Sequence, residues 1–460
     1  MKTLKVFTAF DQKPLAELDY DSEKQAFAKI ARAHEAFLDK ANWPKAHARI
    51  AILEKALEII KDRKNDLIMD AAKEGGKPLI DSKIEIERGM EGIKIAISEL
   101  SHMHGTEIPM NLTPASMGRR AWTRIEPRGV ALGISAFNHP FNLIIHQVIP
   151  AIAVGCPVII KPSSSTPISC KNLVEILYEA GLNRDWCQMV ICTNEVAEKM
   201  VSHPNVTFLS FIGSAKVGWY LRSKLAPGAI CALEHGGVAP VIVDRTANLE
   251  IAIPSLIKGG FYHAGQVCVS VQRIFVHEDI QQEFIKDFVA GVKKLKVGNP
   301  TSEATEVGPL ISTKEVDRVD NWVRAAVDDD GELLCGGNKI SDTCFEPTVI
   351  LNPSMHSTVS TSEIFGPVVC IYPYNDIEDA VARANSLDFA FQGSIFTNDL
   401  TITEYVTKFM EGLTVMVNDH CAFRVDWMPF GGYKHSGMGV GGIGHTMRDM
   451  TIEKMTVIKF

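Results

Sequence analysis

Several features that mark particular classes of protein are missing from this sequence. Its ten cysteines include no Cys-x-x-Cys pair, which suits free thiols in a reducing compartment better than a disulfide framework or a zinc knuckle. No cluster of His and Cys residues has the spacing of zinc ligands, so we expect no metal site. The net charge of −8 argues against a general binder of nucleic-acid phosphates.

The sequence also has no apolar run that is long enough to span a bilayer. Its longest run, from Val148 to Ile160, is interrupted by Pro150 and Pro157, and no apolar signal region follows Met1. Hydrophobic residues make up 46% of the chain and charged residues 22%, as in ordinary globular proteins. We therefore expect a cytoplasmic protein with no membrane partner, and its 460 residues suit two or three structural units.

The spacing of apolar residues changes near Arg119. Before it, a three- and four-residue spacing predicts helices over 21–39 and 44–74. After it, short β-rich runs alternate with helical segments, and these runs cover 129–134, 156–160, 188–191 and 206–212. Such alternation predicts an α/β fold with a doubly wound parallel sheet, whose ligands lie at the carboxyl ends of the strands. A second α/β region begins near 240–243 and ends near Asn418.

The sequence also predicts a helix cap and a strand at the end of the chain. Residues 163–166 read Ser-Ser-Ser-Thr after a predicted strand, and we expect them to cap the helix over 167–180. The last segment, 451–460, alternates weakly, and we expect it to add a strand to the sheet of a neighbouring subunit.

A cysteine and a glutamate are the candidates for chemistry. Cys268 follows Gly265 and Gln266, small or polar neighbours that suit a loop or helix start where a thiolate is stabilised. Glu234 stands before a pair of glycines, which often let the backbone pass close to a ligand. A thiol nucleophile and a carboxylate base suffice for covalent chemistry on a carbonyl followed by hydrolysis. For each residue taken singly, an ordinary structural role remains an alternative: Cys268 as a buried inert thiol and Glu234 as a surface glutamate.

Further polar residues stand where predicted strands end. The Asn138 amide either donates a hydrogen bond to an oxyanion, with the Cys268 N–H as second donor, or caps the helix that follows. Lys161 closes a strand and reaches either ribose and phosphate or solvent. Gly213 and Ser214 open a helix after a strand, which makes a seat for a pyrophosphate although the segment is not Gly-x-Gly-x-x-Gly.

Seven segments together resemble the aldehyde dehydrogenase superfamily, in its order and over essentially the whole chain. They are AFNHP at 136–140, KPSSSTP at 161–167, FIGS at 211–214, LEHGG at 233–237, GQVC at 265–268, EIFGP at 363–367 and PFGGYKHSG at 429–437. The resemblance implies NAD(P)-dependent oxidation of an aldehyde to a carboxylic acid by a homodimer or homotetramer. It also implies an NAD(P)-binding domain over 1–112 and 128–235, a catalytic domain over 236–436, and an oligomerisation element over 113–127 and 437–460.

The resemblance also implies residue roles. Cys268 corresponds to the nucleophile, Asn138 to the oxyanion donor and Glu234 to the group that activates water. The implied cofactor-binding residues are Phe137, Lys161, Ser163, Ser164, Phe211, Gly213, Ser214, Val217, Gly236, Glu363 and Phe365. Ser164 stands where many NAD-preferring relatives have glutamate, so we expect NAD to be slightly favoured and NADP to be tolerated. His235 replaces the usual leucine, and its imidazole either alters the proton affinity of Glu234 or points elsewhere.

The substrate side depends on one helix and one loop. His139, Asn142 and His146 share a helical face by their spacing, where relatives often place aromatic or bulky apolar residues. Arg424 falls in the loop that usually lines the aldehyde entrance, and Phe430 is assigned to the same site. We expect a small polar or anionic aldehyde whose charge Arg424 meets, unless Arg424 pairs with Asp426 or is solvated.

Three other activities remain as alternatives. A CoA-acylating dehydrogenase would resolve the thioester with a thiol, but Glu234 argues for water, since such relatives often lack it. A non-catalytic relative is disfavoured because Cys268, Asn138 and Glu234 are all present. A zinc-dependent dehydrogenase is poorly supported, because the sequence has no ligand cluster.

Overall fold

Two mainly parallel β-sheets organise the chain, as seen in a computed structural model that describes residues 3–460. The first sheet has six strands, in the spatial order Gly437–Met438, Ile230–Glu234, Val206–Ile212, Val130–Ile134, Val158–Lys161 and Cys187–Met189. Its strands run parallel except Gly437–Met438, which pairs antiparallel with Ile230–Glu234. The predicted doubly wound α/β fold is therefore confirmed.

Helices cover both faces of this first sheet, because its central strands are apolar on both sides. One face carries Glu23–Leu38, Asn194–Val201 and Ala215–Arg222. The other face carries Ala46–Asp62, Lys64–Gly75, Leu79–Glu99, Asn142–Val154, Ile168–Glu179 and Ile443–Asp449. The single helix expected over 44–74 is thus two, and they meet at Arg63, whose φ of −98° and ψ of 13° leave the helical range.

The segment 437–450 packs with the first sheet. Gly437–Met438 extends the first sheet, and Ile443, Met447 and Met450 pack in the same core as the helices Leu79–Glu99 and Asn142–Val154. Residues 437–450 are therefore part of the same packed unit as the first sheet, and the division of the chain into domains stays a prediction.

The second sheet has seven strands and holds the other main core. Its spatial order is Glu332–Cys335, Thr348–Leu351, Val368–Tyr374, Arg273–His277, Pro240–Val243, Gln392–Phe396 and Thr414–Val417. Only Glu332–Cys335 pairs antiparallel. The helices of this part are Leu249–Phe261, Glu278–Val292, Thr313–Asp328, Thr358–Thr361, Ile377–Ala384 and Leu400–Phe409.

Short strands complete the fold. Thr3–Phe7 pairs with Pro14–Asp19, and Phe389–Ala390 pairs with Tyr433–Lys434. The third sheet is antiparallel, with the strand order Thr451–Lys459, Arg119–Pro127 and Glu107–Ile108. The terminal strand expected in a neighbouring subunit's sheet therefore pairs with its own chain, in register from Thr451 opposite Pro127 to Lys459 opposite Arg119.

A correction concerns the start of the helix Ile168–Glu179. Residues 163–166 do not cap it; instead, the Glu74 carboxylate accepts the N–H groups of Ile168 at 2.7 Å and Ser169 at 2.8 Å. The two oxygens of one carboxyl group satisfy two free N–H groups at once, which a single hydroxyl does less well. Burial raises the pKa of Glu74 to about 8, and its hydrogen bonds with Ser169 and Ile168 oppose that rise.

The order of the first sheet determines where a ligand fits. Val130–Ile134 and Val206–Ile212 are neighbours in this sheet. From their carboxyl ends the chain continues to Val158–Lys161 on one side and to Ile230–Glu234 on the other, so the two connections leave in opposite directions. A crevice forms at such a switch point in open α/β sheets. In residues 3–460, every helix falls short of the length or apolarity that a bilayer span requires.

Candidate active site

A cavity of about 640 Å³ opens at this switch point. Its wall combines residues that follow four strands of the first sheet, those ending at Ile134, Lys161, Ile212 and Glu234. Residues within 262–269, 363–365 and 422–430 complete the wall, so both main parts of the chain contribute. The strand-end residues singled out in the sequence thus surround one space.

Cys268 lies in a turn on this wall, and an unusual backbone leads into it. His263, Ala264 and Gly265 have consecutive positive φ values of 49°, 54° and 69°. Such left-handed backbone costs free energy for residues with a side chain, and it persists where surrounding structure enforces it, often at functional sites. Gly265 also packs so closely on the Gly366 carbonyl that a Cβ would collide. The segment 262–268 is therefore held in one conformation that presents Cys268 to the cavity.

The surroundings of Cys268 correct the expectation of a thiolate-stabilising position. The residue is in a turn and not at a helix start, and burial raises the pKa of its thiol to about 12. The nearby carboxylates of Glu363 and Glu234 add to this rise, whereas the positive charge of Arg424 opposes it. In the protein alone, Cys268 is therefore a neutral thiol at pH 7, and its reaction requires a proton acceptor.

Glu234 is the last residue of its strand and also lines the cavity. Burial raises the pKa of its carboxyl group, and Arg424 opposes that rise. A Cβ at Gly441 would collide with the Glu234 carboxylate, so glycine is required there for the side chain to take this position. A carboxylate with a raised pKa is a better proton acceptor than one in water.

Asn138 is buried at the end of the strand Val130–Ile134, on the same cavity. Its Nδ2 donates a hydrogen bond to the Gln266 carbonyl at 3.0 Å, which ties the amide to the chain two residues before Cys268. An amide nitrogen carries two N–H groups, so one remains for an oxyanion. The alternative of a helix cap does not hold, because Glu85 accepts the N–H groups of Phe141 and Asn142 at 2.8 and 3.0 Å.

Ten of the eleven expected cofactor-binding residues line this cavity, and Ser164 does not, because it is exposed to solvent. Lys161 is buried, which excludes its alternative of reaching into solvent, and Phe137 meets Phe365 edge to face at 5.7 Å. Burial raises the pKa of Glu363 to about 8, and its Oε1 has no partner in the described part of the chain. An unpartnered carboxyl oxygen and a buried lysine fit the ribose hydroxyls of a dinucleotide.

The expected substrate residues divide into two sets. His139, Arg424 and Phe430 line the cavity. Asn142 and His146 do not, because the helix Asn142–Val154 is buried on all sides and turns them into its packing. Contrary to the sequence-based expectation, Asn142 and His146 are therefore not part of the substrate pocket.

Arg424 is not solvated, and it forms an ion pair with Asp426, as one of the sequence-based alternatives expected. Its side chain is 9% exposed, and its guanidinium lies 3.5 Å from the ring centre of Phe430. The Nε atom is 3.7 Å from the Asp426 carboxylate, which is close enough for an ion pair but too long for a hydrogen bond. The positive charge of Arg424 is thus held inside the cavity, near Glu234 and Cys268.

Arg88 is a cavity residue that the sequence did not indicate. It extends from the helix Leu79–Glu99 and hydrogen-bonds Asp426 through Nη2 at 2.6 Å and Nε at 3.1 Å. The two residues are 338 positions apart, and an arginine on an amphipathic helix carries no local sign of such a partner. Only the fold brings a second guanidinium to the wall that Arg424 occupies.

The imidazole of His235 points away from the Glu234 carboxylate. Its Nδ1 lies 3.0 Å from the Gly213 carbonyl, and its ring packs between Phe211 and Trp219. The structure therefore supports the alternative in which the imidazole points elsewhere, and not the one in which it alters the proton affinity of Glu234.

Comparison with known proteins places this geometry in context. Residues 1–456 match the model of the Aldehyde dehydrogenase family. The chain is 34% identical over 456 residues to a 3-sulfolactaldehyde dehydrogenase of Priestia aryabhattai, covering 99% of this chain and 94% of that protein. Aldehyde dehydrogenase 21 of Physcomitrella patens, solved with the reaction product succinate, superimposes with a TM-score of 0.96 at 36% identity, over 100% of this chain and 95% of the other. The glyceraldehyde-3-phosphate dehydrogenase GapN of Methanocaldococcus jannaschii, complexed with NADP, gives a TM-score of 0.94 at 34% identity, over 99% of both chains.

Proposed function

Because the chain belongs to the aldehyde dehydrogenase family, we propose that Cys268, Glu234 and Asn138 form its catalytic centre. The enzyme oxidises small polar aldehydes to carboxylic acids with NAD or NADP. The observation that carries the assignment is that the thiol, the carboxylate and the amide lie on one cavity with the cofactor residues. A CoA-acylating reaction is not favoured, since Glu234 supplies a base for water.

In this proposal the sulfur of Cys268 bonds to the aldehyde carbon, and its proton leaves to a base in the cavity. Asn138 Nδ2 and the Cys268 N–H hold the resulting oxyanion. A nicotinamide cofactor, when bound, would supply the hydride acceptor for this carbon, and the acyl group would remain on Cys268 as a thioester. Glu234 then takes a proton from the water that attacks the thioester; the C–S bond breaks, the acid leaves, and a proton returns to the Cys268 sulfur.

The cofactor residues act through position and charge. Lys161 and Glu363 would bind the ribose hydroxyls, and the N–H groups at the start of the helix Ala215–Arg222 would bind the pyrophosphate. Phe365 would contact the nicotinamide ring. Gly236 is part of this arrangement because a Cβ there would collide with the Glu363 carboxylate.

We further propose that the substrate is a small anionic aldehyde. Arg88 and Arg424 bring two positive charges to the same wall, where Asp426 pairs with both and Glu234 lies near Arg424. Guanidinium groups in this position attract an anionic group at the end of the substrate opposite the carbonyl. The similar proteins named above support this class, because 3-sulfolactaldehyde and succinate are both anions.

The remaining parts of the proposal concern assembly and location. We propose the division into an NAD(P)-binding, a catalytic and an oligomerisation part, with residues 437–450 moved to the first. Exposed apolar side chains in the segment 451–460 support assembly into a homodimer or homotetramer through 113–127 and 451–460; they include Ile452, Met455, Val457, Ile458 and Phe460. Ten free cysteines support a cytoplasmic location.

The test is a comparison of succinic semialdehyde with propionaldehyde, each with NAD and with NADP. The reduced nicotinamide is followed by absorbance for the wild type and for Arg424→Ala. Loss of one hydrogen bond to a charged group costs about 1.5–3 kcal/mol, so kcat/KM for the semialdehyde should fall roughly 10- to 100-fold more than for propionaldehyde. Equal losses on both substrates would remove the anionic class, and absence of any aldehyde oxidation would remove the enzyme assignment.

A further inference from the structure

Two consecutive residues bind both polar backbone groups of Gly213. The Gly213 N–H donates to the Glu234 carbonyl at 3.1 Å, and the Gly213 carbonyl lies 3.0 Å from His235 Nδ1. A carbonyl oxygen only accepts hydrogen bonds, so Nδ1 carries the proton. Gly213 and Ser214 form the turn into the helix Ala215–Arg222, and both line the cavity. The turn at the cofactor site is therefore attached directly to the strand that ends in Glu234.

The His235 ring has little freedom to move. It is 2% exposed and contacts Phe211 and Trp219 edge to face, with ring centres 5.7 and 5.8 Å away. On the helix side, Gly218 makes room for the imidazole, because a Cβ at Gly218 would collide with the ring. The His235 N–H also donates to the Ser436 carbonyl at 3.1 Å. Packing and backbone together therefore hold Nδ1 toward Gly213.

The chemical state of His235 is also restricted. Burial lowers its pKa, while the hydrogen bond to Gly213 opposes that effect. Nε2 has no hydrogen-bond partner among residues 3–460, so a second proton there would be buried without an acceptor. His235 is therefore a neutral donor with one tautomer. A leucine, the residue that family resemblance leads one to expect here, would fill similar space without donating.

We propose that His235 is a positioning residue that holds the Gly213–Ser214 turn for the cofactor's pyrophosphate. Its hydrogen bond orients the N–H groups that follow Gly213, and it couples their position to the strand that ends in Glu234. The inference rests on the proposed function, since the turn must bind a dinucleotide. It assigns His235 to cofactor binding and gives it no contact with the aldehyde.

Asparagine and leucine at position 235 form a matched pair of similar shape, of which only asparagine carries a donor near the Nδ1 position. For His235→Leu, we expect KM and the dissociation constant of NAD(P) to rise about five- to tenfold, as for the loss of one hydrogen bond. The KM of the aldehyde should stay within about twofold. His235→Asn should recover most of the cofactor affinity. His203→Leu, which removes a partly buried imidazole from outside the cavity, serves as control.

The outcomes distinguish a failure of the role assigned to His235 from a failure of the proposed function. If the wild type oxidises aldehydes but His235→Leu binds cofactor as tightly, the role of His235 is wrong and the proposed function stands. Loss of affinity in both variants would show that packing, and not the hydrogen bond, matters. If His235→Leu does not fold, nitrogen NMR of the wild type decides: the Nδ1–H tautomer is expected, and the Nε2–H tautomer would overturn the inference. A wild type without aldehyde oxidation would refute the proposed function itself.

Discussion

Arg88 and Asp426 join two distant parts of the chain by paired hydrogen bonds of 2.6 and 3.1 Å on the wall of the cavity. His146 adds a bond from Nε2 to the same carboxylate at 2.8 Å. Burial opposes ionisation of Asp426, but the hydrogen bond from His146 and the charge of Arg88 hold its pKa well below the ordinary value. Asp426 is therefore ionised at neutral pH, and it holds Arg88, which the sequence did not indicate, in position by two hydrogen bonds.

The first prediction concerns stability. Asp426→Asn removes the buried charge that Arg88 and Arg424 share, and breaking a buried ion pair leaves an uncompensated charge. We expect the free energy of unfolding to fall by about 3–5 kcal/mol in urea titrations. Glu411→Gln, which breaks an exposed pair with Lys434, should cost at most about 1 kcal/mol. Equal losses in the two variants would contradict the assigned role of Asp426.

The second prediction concerns substrate selection by Arg88. Arg88→Ala should lower kcat/KM for succinic semialdehyde roughly tenfold more than for propionaldehyde, because only the semialdehyde carries a carboxylate for the guanidinium. Steady-state kinetics on both substrates provides the measurement. Arg120→Ala, a change of an exposed arginine outside the cavity, is the matched control and should leave the ratio unchanged. A ratio unaltered by Arg88→Ala would leave Arg88 with a structural role alone.

The third prediction concerns pH. Since burial raises the pKa of Cys268 to about 12, its thiolate fraction in the cofactor-free protein rises about tenfold per pH unit throughout the neutral and moderately alkaline range. The rate of alkylation at Cys268, followed by peptide mass spectrometry, should therefore increase without a plateau between about pH 7 and 10. A plateau in this range would show that the thiol ionises more easily than its surroundings indicate.

The fourth prediction concerns the choice between NAD and NADP. Ser164→Glu places a negative charge next to the cofactor site, and it should raise KM for NADP several-fold more than KM for NAD through repulsion of the 2′-phosphate. Ser165→Glu is the control, because Ser165 is also exposed and lies one position further along. Equal effects of the two variants on the NADP-to-NAD ratio would remove Ser164 from cofactor selection.

Sequence patterns could predict the parts of the site that local structure controls. A strand that ends at Lys161 or Glu234 places that residue at the sheet edge where ligands bind, whatever the distant parts of the chain do. The glycines near Cys268 likewise reflect local backbone needs, as the positive φ of Gly265 shows. The predicted α/β sheet and the position of the cavity therefore followed from patterns a few residues long.

The incorrect expectations concern contacts between distant segments. Glu74 caps a helix that begins 94 positions later, so residues 163–166, although polar and next to that helix, did not reveal its cap. His146 lies on the expected helical face, but the helix is buried all round and its face alone could not decide between the pocket and the core. The pKa of Cys268 depends on burial and on two distant carboxylates, which neighbouring residues in sequence do not indicate.

The most direct test of the catalytic assignment is to trap the acyl group in Glu234→Gln. Glutamine cannot accept a proton from water, so the thioester should accumulate when this variant is given aldehyde and NAD(P). Mass spectrometry should then find the acyl group on the peptide that contains Cys268, and Cys268→Ser should show neither the adduct nor turnover. An acyl group on another residue, or aldehyde oxidation by Cys268→Ser at the wild-type rate, would contradict the account.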